Sequence, residues 1–207
     1  KITAPFRDKI QLRRGCASVR RAGGQVKVTD VSGETKTFDQ VIFASHADEI
    51  LKILTDADWQ EHTLLSEFKY QPNTALLHTD ASVMPKTKLC WASWNYRIDR
   101  DANGKISPST IYWMNSLQGV SDRQNYFVSI NGENSVNPSR ILKRIHYEHP
   151  LFSLGAIRAQ KSLPQLNERM NSNIHFCGSY FRYGFHEDAF TSALDLCRVL
   201  TGERLMP

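Results

Sequence analysis

One stretch near the end of the chain constrains its fold more than any other. Ile174-His175-Phe176-Cys177 is a short apolar run that stops at Gly178-Ser179, and residues Tyr180 to Phe185 are mostly aromatic. From His186 the sequence turns helical through Glu187-Asp188-Ala189-Phe190-Thr191-Ser192-Ala193-Leu194. An apolar run this short reads as a buried strand, so strand, loop and helix follow one another and the fold must mix α and β. Phe190, Ala193, Leu194, Cys197 and Leu200 recur at helical spacing, and Gly202 stands where a C-terminal cap belongs. The start of such a helix carries unpaired N–H groups and a partial positive charge. Small side chains at Ala189, Ser192 and Ala193 would let a flat ligand approach that backbone. The same periodicity also describes an ordinary core helix.

The opening of the chain has the alternation and turn residues of a β-meander. A strand is expected over 10–19, a turn at Arg20 to Gly24, and an alternating strand over 25–30. After a second turn at Val31-Ser32-Gly33, the pattern predicts a return at 35–38 and a buried strand over 41–44. Helices are expected over 47–54 and 58–68, and strands over 74–79, 89–97, 110–116 and 126–130. Turns fall at Asp101-Ala102-Asn103-Gly104 and Asn131-Gly132. Asn137-Pro138-Ser139 reads as the opening of a helix that ends at His149 before Pro150. A strand over 156–161 and an extended Leu163-Pro164 complete the expectation. The fold class is therefore α+β, with an antiparallel sheet and helices placed between two terminal pieces.

Composition narrows the function classes. The net charge of +5 includes the doublets Arg13-Arg14 and Arg20-Arg21 but no long basic run, so a nucleic-acid partner is not expected. Cys16, Cys90, Cys177 and Cys197 form no C-x-x-C pair, which argues against zinc and against a disulfide framework and points to reduced thiols in a cytoplasmic protein. His146 and His149 have no third ligand beside them, so no metal site is expected. No apolar run is long enough to predict a transmembrane segment.

Five blocks carry a resemblance: ITAPFR (2–7), FDQVIFASHAD (38–48), YQPNTALLHTD (70–80), WASWNY (91–96) and GFHED (184–188). In this order they resemble the C-terminal portion of bacterial predicted NAD/FAD-binding proteins of the flavin-containing amine oxidase and phytoene-desaturase-like superfamily. The resemblance implies a two-domain FAD-dependent oxidoreductase. Residues 1–50 and 166–207 would belong to its FAD-binding domain and 51–165 to its substrate domain. It implies oxidation of a C–N or C–C bond by hydride transfer to flavin, on a small molecule that is an amine or an apolar, lipid-like compound. The family begins with a G-x-G-x-x-G turn that cradles the FAD pyrophosphate. No such turn occurs here and the chain begins at Lys1, so it is expected to be a C-terminal fragment that lacks its N-terminal FAD-binding segment and is inactive alone. The alternative is a non-catalytic binding or interaction domain that keeps the flavoprotein scaffold.

The resemblance also assigns residues. Cys16 stands in the extended segment whose backbone touches adenine, which is otherwise a plain strand. Ala44 lies in the small-residue turn near the dinucleotide. Gly178 and Ser179 follow the last strand, with Ser179 replacing an acidic residue common in relatives. Glu187, Asp188 and Ala189 place the helix start against the flavin ring, with the backbone of Asp188 and Ala189 making the contact. His186 is the candidate proton-transfer group, or else a structural hydrogen-bonding residue. Trp94, Asn95, Tyr96 and Tyr183 are candidates for the substrate cavity, and such aromatics equally fill cores. Strand alternation separates Trp94 and Tyr96 from Asn95.

Overall fold

A computed structural model of the chain describes residues 1–100, 104, 106–170 and 172–202. These residues form two compact units, Lys1–Tyr70 with Pro150–Pro207 and Gln71–His149. The fold is mixed α and β, as the patterning requires.

In the first unit, β1 (Cys16–Ala22), β2 (Gln25–Asp30) and β3 (Thr35–Phe38) make an antiparallel meander. Gly23 and Gly24 both take positive φ (58° and 82°), the combination a two-residue hairpin turn needs to follow the strand twist. β1 starts later than the expected residue 10. Ala4–Lys9 instead form a 3-10 turn led by Pro5, and Arg13 is left-handed at φ 59°, which interrupts extension. β4 (Val41–Phe43) then pairs in parallel with β10 (Ile174–Phe176). Around them lie α1 (Ala47–Ile53), α2 (Trp59–Leu65), α4 (Leu154–Gln160), α5 (Pro164–Asn167) and α6 (His186–Thr201), with α3 (Met114–Gln118) in the other unit. Val19, Val26, Phe43, Ile50, Leu163 and Phe176 are among the buried residues of this unit's core.

α2 opens on a reciprocal cap. Asp58 accepts from the Glu61 N–H and Glu61 accepts from the Asp58 N–H, both at 2.9 Å, which satisfies two donors reciprocally. The fully buried Glu61 carboxylate is also engaged by Arg21 from β1 and by Arg169.

Three expectations here are corrected. Residues 156–161 lie largely in α4, not a strand, because Ser153 caps its start by accepting from the Ala156 N–H at 3.0 Å. Leu163-Pro164 is not extended: Pro164 opens α5, where its missing N–H has no cost. The buried stripe of α6 is also rotated from the expected one. Ser192 and Leu196 are buried, while Phe190 is 58% exposed and Cys197 is exposed. Ser192 can occupy a core position because its hydroxyl accepts from Gly178 N–H at 2.9 Å and donates to Ala189 O at 2.8 Å. A stripe drawn from apolar residues alone passes over it.

The second unit is built on a five-stranded sheet in the order β6-β7-β8-β5-β9. Its strands are β5 (Lys69–His78), β6 (Trp94–Arg100), β7 (Ile106–Trp113), β8 (Phe127–Ile130) and β9 (Ile141–Leu151). Leu76, Val83, Met84, Ile111, Phe127 and Val136 form its core. The turn expected at Asp101-Ala102-Asn103-Gly104 lies outside the described residues except for Gly104. The helix expected from Asn137 to His149 is absent. Asn137 caps only a single 3-10 turn, Pro138–Arg140, and the chain then runs extended as β9. Ile141, Ile145 and Tyr147 suit a pleated surface, and the edge position tolerates Pro150 without a ladder N–H.

Among the described residues β10 pairs with one strand, β4, and a side chain engages further backbone groups of it. Asn167 Nδ2 donates to Phe176 O and Phe176 N–H donates to Asn167 Oδ1, both at 2.8 Å. The carboxamide thus takes the place of a peptide group in a neighbouring strand. Asn167→Ala would leave both buried Phe176 groups unpaired and should lower stability by about 2–4 kcal/mol. Urea unfolding checks this, and a loss under about 1 kcal/mol would show that the pair is dispensable.

Candidate functional site

The parallel strands β4 and β10 end side by side, and the segment that leaves β4 lines a concavity of the first unit. Cys177 N–H donates to Phe43 O at 2.9 Å, holding the two ends in step. Gly178 follows at φ 155°, and a Cβ there would come within 2.7 Å of the Tyr180 ring and 3.7 Å of Ser45 O. Only glycine fits between the buried tyrosine and the turn after β4. Beside that turn lies a cleft of about 740 Å³, lined by Cys16, Val28, Val41, Ala44, Ser45 and Lys52 among others.

The turn Ala44-Ser45-His46 has polar atoms with no internal use. Ser45 Oγ, His46 Nδ1 and Asp48 Oδ1 are buried and accept or donate no hydrogen bond among the described residues. Buried polar groups ordinarily find a partner, and of these three residues it is Ser45 that lines the cleft. The His46 ring stacks on Tyr70, with centroids 4.2 Å apart and planes 11° from parallel, and Tyr70 Oη accepts from Ala47 N–H at 3.0 Å. Burial pushes the Tyr70 phenol up to about 12. Burial likewise pushes the Cys16 thiol up, so Cys16 stays protonated at neutral pH and can contribute backbone and bulk but not a nucleophile.

The start of α6 is internally braced. Asp188 Oδ2 accepts from Tyr183 N–H at 3.2 Å and from Phe185 N–H at 3.0 Å, so its carboxylate ties the preceding loop to the helix. The N–H groups of Asp188 and Ala189, expected to face a ligand, both donate to Phe185 O at 3.1 and 3.2 Å. The amides that no intrahelical carbonyl reaches are those of His186 and Glu187. Ser179 O accepts from Arg182 and Gly184 N–H, both at 3.1 Å, and closes the loop between them. His186, Glu187 and Tyr183 are exposed, Tyr183 at 69%.

The structure brings Cys16 and Ala44 onto one cleft, and Gly178 against Ser45 at its neighbouring strand end. Ser192 connects α6 to Gly178 by the hydrogen bond already described. Trp94 and Tyr96 project from the same face of β6 in the other unit, with ring centroids 6.2 Å apart. Asn95 points to the opposite face and is spent on local structure, with Nδ2 donating to Ala92 O at 2.7 Å and Oδ1 accepting from Ala92 N–H at 3.2 Å. Ser45 and Tyr70 were not singled out by the sequence. Their only signal was the small-residue turn that includes Ser45.

The sequence profile of flavin containing amine oxidoreductases matches residues 4–126. The chain belongs to that family. No curated protein sequence matches it. Among solved structures, this flavin-family chain is similar to a putrescine oxidase variant redesigned in cofactor binding, at 9% identity and a TM-score of 0.62 over 98% of this chain and 51% of that one. Cyclohexylamine oxidase from Brevibacterium oxydans matches at 11% identity and 0.59 over 95% and 51%. The CLA-producing fatty acid isomerase from P. acnes matches at 11% and 0.57 over 90% and 47%. The chain thus spans about half the length of each. At these identities the likeness is one of fold. The family's group is a flavin, and the cleft beside Ala44, with the unpartnered Ser45 hydroxyl on its wall, fits part of such a ligand. Among the described residues no cluster of His, Cys, Asp or Glu could hold a metal, and no helix is long and apolar enough to cross a membrane.

Tyr70 offers a test of how firmly the cleft wall is set. Its pKa is raised on folding, so its contribution to stability is complete below about pH 10, where an unfolded tyrosine ionises. That contribution is lost as pH rises toward 12. The stability difference between the parent and Tyr70→Phe should therefore shrink across this window in urea melts at successive pH values. A constant difference would mean that Tyr70 is solvated.

Proposed function

We propose that these residues serve an FAD-dependent oxidoreductase of the cytoplasm that oxidises a C–N or C–C bond of a small apolar or lipid-like molecule. In this reading residues 1–50 and 166–207 meet the cofactor and 51–165 the substrate. The observation that carries it is the cleft beside Ala44, lined by a buried and unpartnered Ser45 hydroxyl, in a chain of the flavin family. Bound FAD supplies the hydride acceptor. Cys16 and Ala44 would let the dinucleotide lie close to the backbone, and Ser45 Oγ would gain its missing hydrogen bond. Gly178 and Ser179 shape the adjoining strand end. At α6, the N–H groups of His186 and Glu187 and the positive end of the helix would meet negative charge on the flavin ring. Asp188 and Ala189 support that turn from within. Trp94, Tyr96 and Tyr183 would offer aromatic surface to substrate. The structural relatives include an isomerase as well as two oxidases, so the fold leaves the reaction to be decided by the site.

Protein isolated from its own cells should be yellow, with a flavin spectrum that bleaches under dithionite. Ala44→Trp should lower its flavin content severalfold while preserving the fold. Lacking a glycine-rich pyrophosphate turn, the 207-residue chain mixed with micromolar FAD should acquire no bound flavin. A colourless native protein would sink the redox reading in favour of a non-catalytic binding module.

His186 is the polar side chain at the helix start, and two roles for it are separable. A proton-transfer group would be worth about a hundredfold or more in flavin reduction. Because hydride transfer needs orientation more than a side-chain base, His186→Gln should change the reduction rate per bound flavin by less than about threefold. Stopped-flow reduction normalised to flavin content decides it, and a hundredfold loss in a loaded, stable variant would make His186 catalytic.

A further inference from the structure

The unit Gln71–His149 holds a pocket of about 320 Å³, large enough for a small ligand, on the sheet face that carries Tyr96. Asn73, Tyr96, Thr110, Tyr112, Asn131 and His149 line it, together with apolar surface from Pro108 and Ile130. Among the described residues that line it there is no Asp, Glu, Lys or Arg.

The hydrogen bonds among the lining residues select a tautomer of His149, because the chain of donors and acceptors begins at a backbone N–H. Thr74 N–H can only donate, and its partner 3.1 Å away on Asn131 must therefore be the carbonyl oxygen Oδ1. The other terminal atom of Asn131 is then the nitrogen, and it donates to Asn73, whose receiving atom must be Oδ1. That leaves Nδ2 of Asn73 as a donor. It donates to Gln71 O at 3.1 Å, consistent with an acceptor that has no alternative role. The same Nδ2 lies 2.9 Å from His149 Nδ1, which must therefore accept. An imidazole that accepts at Nδ1 carries its proton on Nε2. In that tautomer His149 offers one N–H donor, at Nε2.

We propose that this pocket binds an uncharged ligand bearing a carbonyl oxygen, which accepts from His149 Nε2–H while an apolar body lies against Tyr96, Tyr112 and Ile130. An ammonium would bring donors to a donor. A carboxylate would favour an imidazolium, whose Nδ1–H would point at the Asn73 Nδ2–H₂ group. The assignment of this ligand as the substrate rests on the redox reading, whereas the binding itself does not require flavin.

Three probes of equal chain length separate these cases at neutral pH: hexanamide, hexylamine and hexanoate. Nitrogen NMR of the histidine rings should show His149 protonated at Nε2 alone, and hexanamide should shift that signal. Hexanamide should bind at least about tenfold more tightly than either ion, the ratio expected when one hydrogen bond is matched rather than opposed. Asn73→Asp replaces the donor to Nδ1 by an oxygen. It should convert His149 to the imidazolium and move the preference from hexanamide to hexanoate. An Nδ1–H tautomer in the parent protein would overturn the proposal whether or not the variant folds, as would hexylamine binding as tightly as hexanamide. A flavin-free protein with the amide preference would uphold this site while the redox reading fails. A flavin-loaded protein without it would do the reverse.

Discussion

The side chain of Asn167 sets much of the geometry of the first unit. By exchanging two hydrogen bonds with Phe176, it pairs backbone groups of β10 as a neighbouring strand would. The end of β10 fixes Gly178, whose lack of a side chain admits the buried Tyr180 ring and the turn after β4. Gly178 N–H is held in turn by Ser192, which sets the near end of α6. A sequence of short-range constraints thus runs from one carboxamide to the turn that precedes His186. None of these groups is charged, so the arrangement is insensitive to salt and to ordinary pH.

A second constraint secures the opposite wall. Buried Glu61 completes the cap of α2 and meets Arg21 of β1 and Arg169. A buried ion pair is a weak source of net stability, because desolvation offsets its attraction. Its consequence is registration: removal of either arginine would leave a carboxylate with too few partners, so β1 is held against α2 in one position. Cys16 and the cleft wall inherit that position. Asp188 plays a comparable local part, turning a helix-start acid into a brace for the loop before it.

Much of the fold was legible where local chemistry and tertiary need coincide. The turn expected up to Gly24 is the hairpin, the helix expected from residue 58 starts at the Asp58 cap, and Gly202 ends α6 with φ 69°. The failures have equally specific causes. Pro138 after Asn137 is a sound helix opening, but one turn was all it produced, since the residues beyond suit a sheet edge. The residues over 156–161 suit a short strand when read alone, and the Ser153 cap makes them a helix. For the candidate site, the order of the blocks indicated the family, and Cys16 and Ala44 do share one cleft. What sequence could not show was which polar atoms lack partners or which amides are already engaged. Those are properties of three-dimensional proximity, as the Asn95 side chain illustrates by folding back on Ala92.

The edge strand β9 has a consequence for the molecule in a crowded solution. An open strand edge is a template on which another chain can add, and long flat apolar edges are where aggregation begins. β9 carries Lys143, Arg144, His146 and Glu148 along its length and Pro150 near its end. A chain approaching that edge would have to desolvate charges of both signs and would find no N–H at the proline. The segment whose sequence so closely imitates a helix is, as a strand, a guard against self-association.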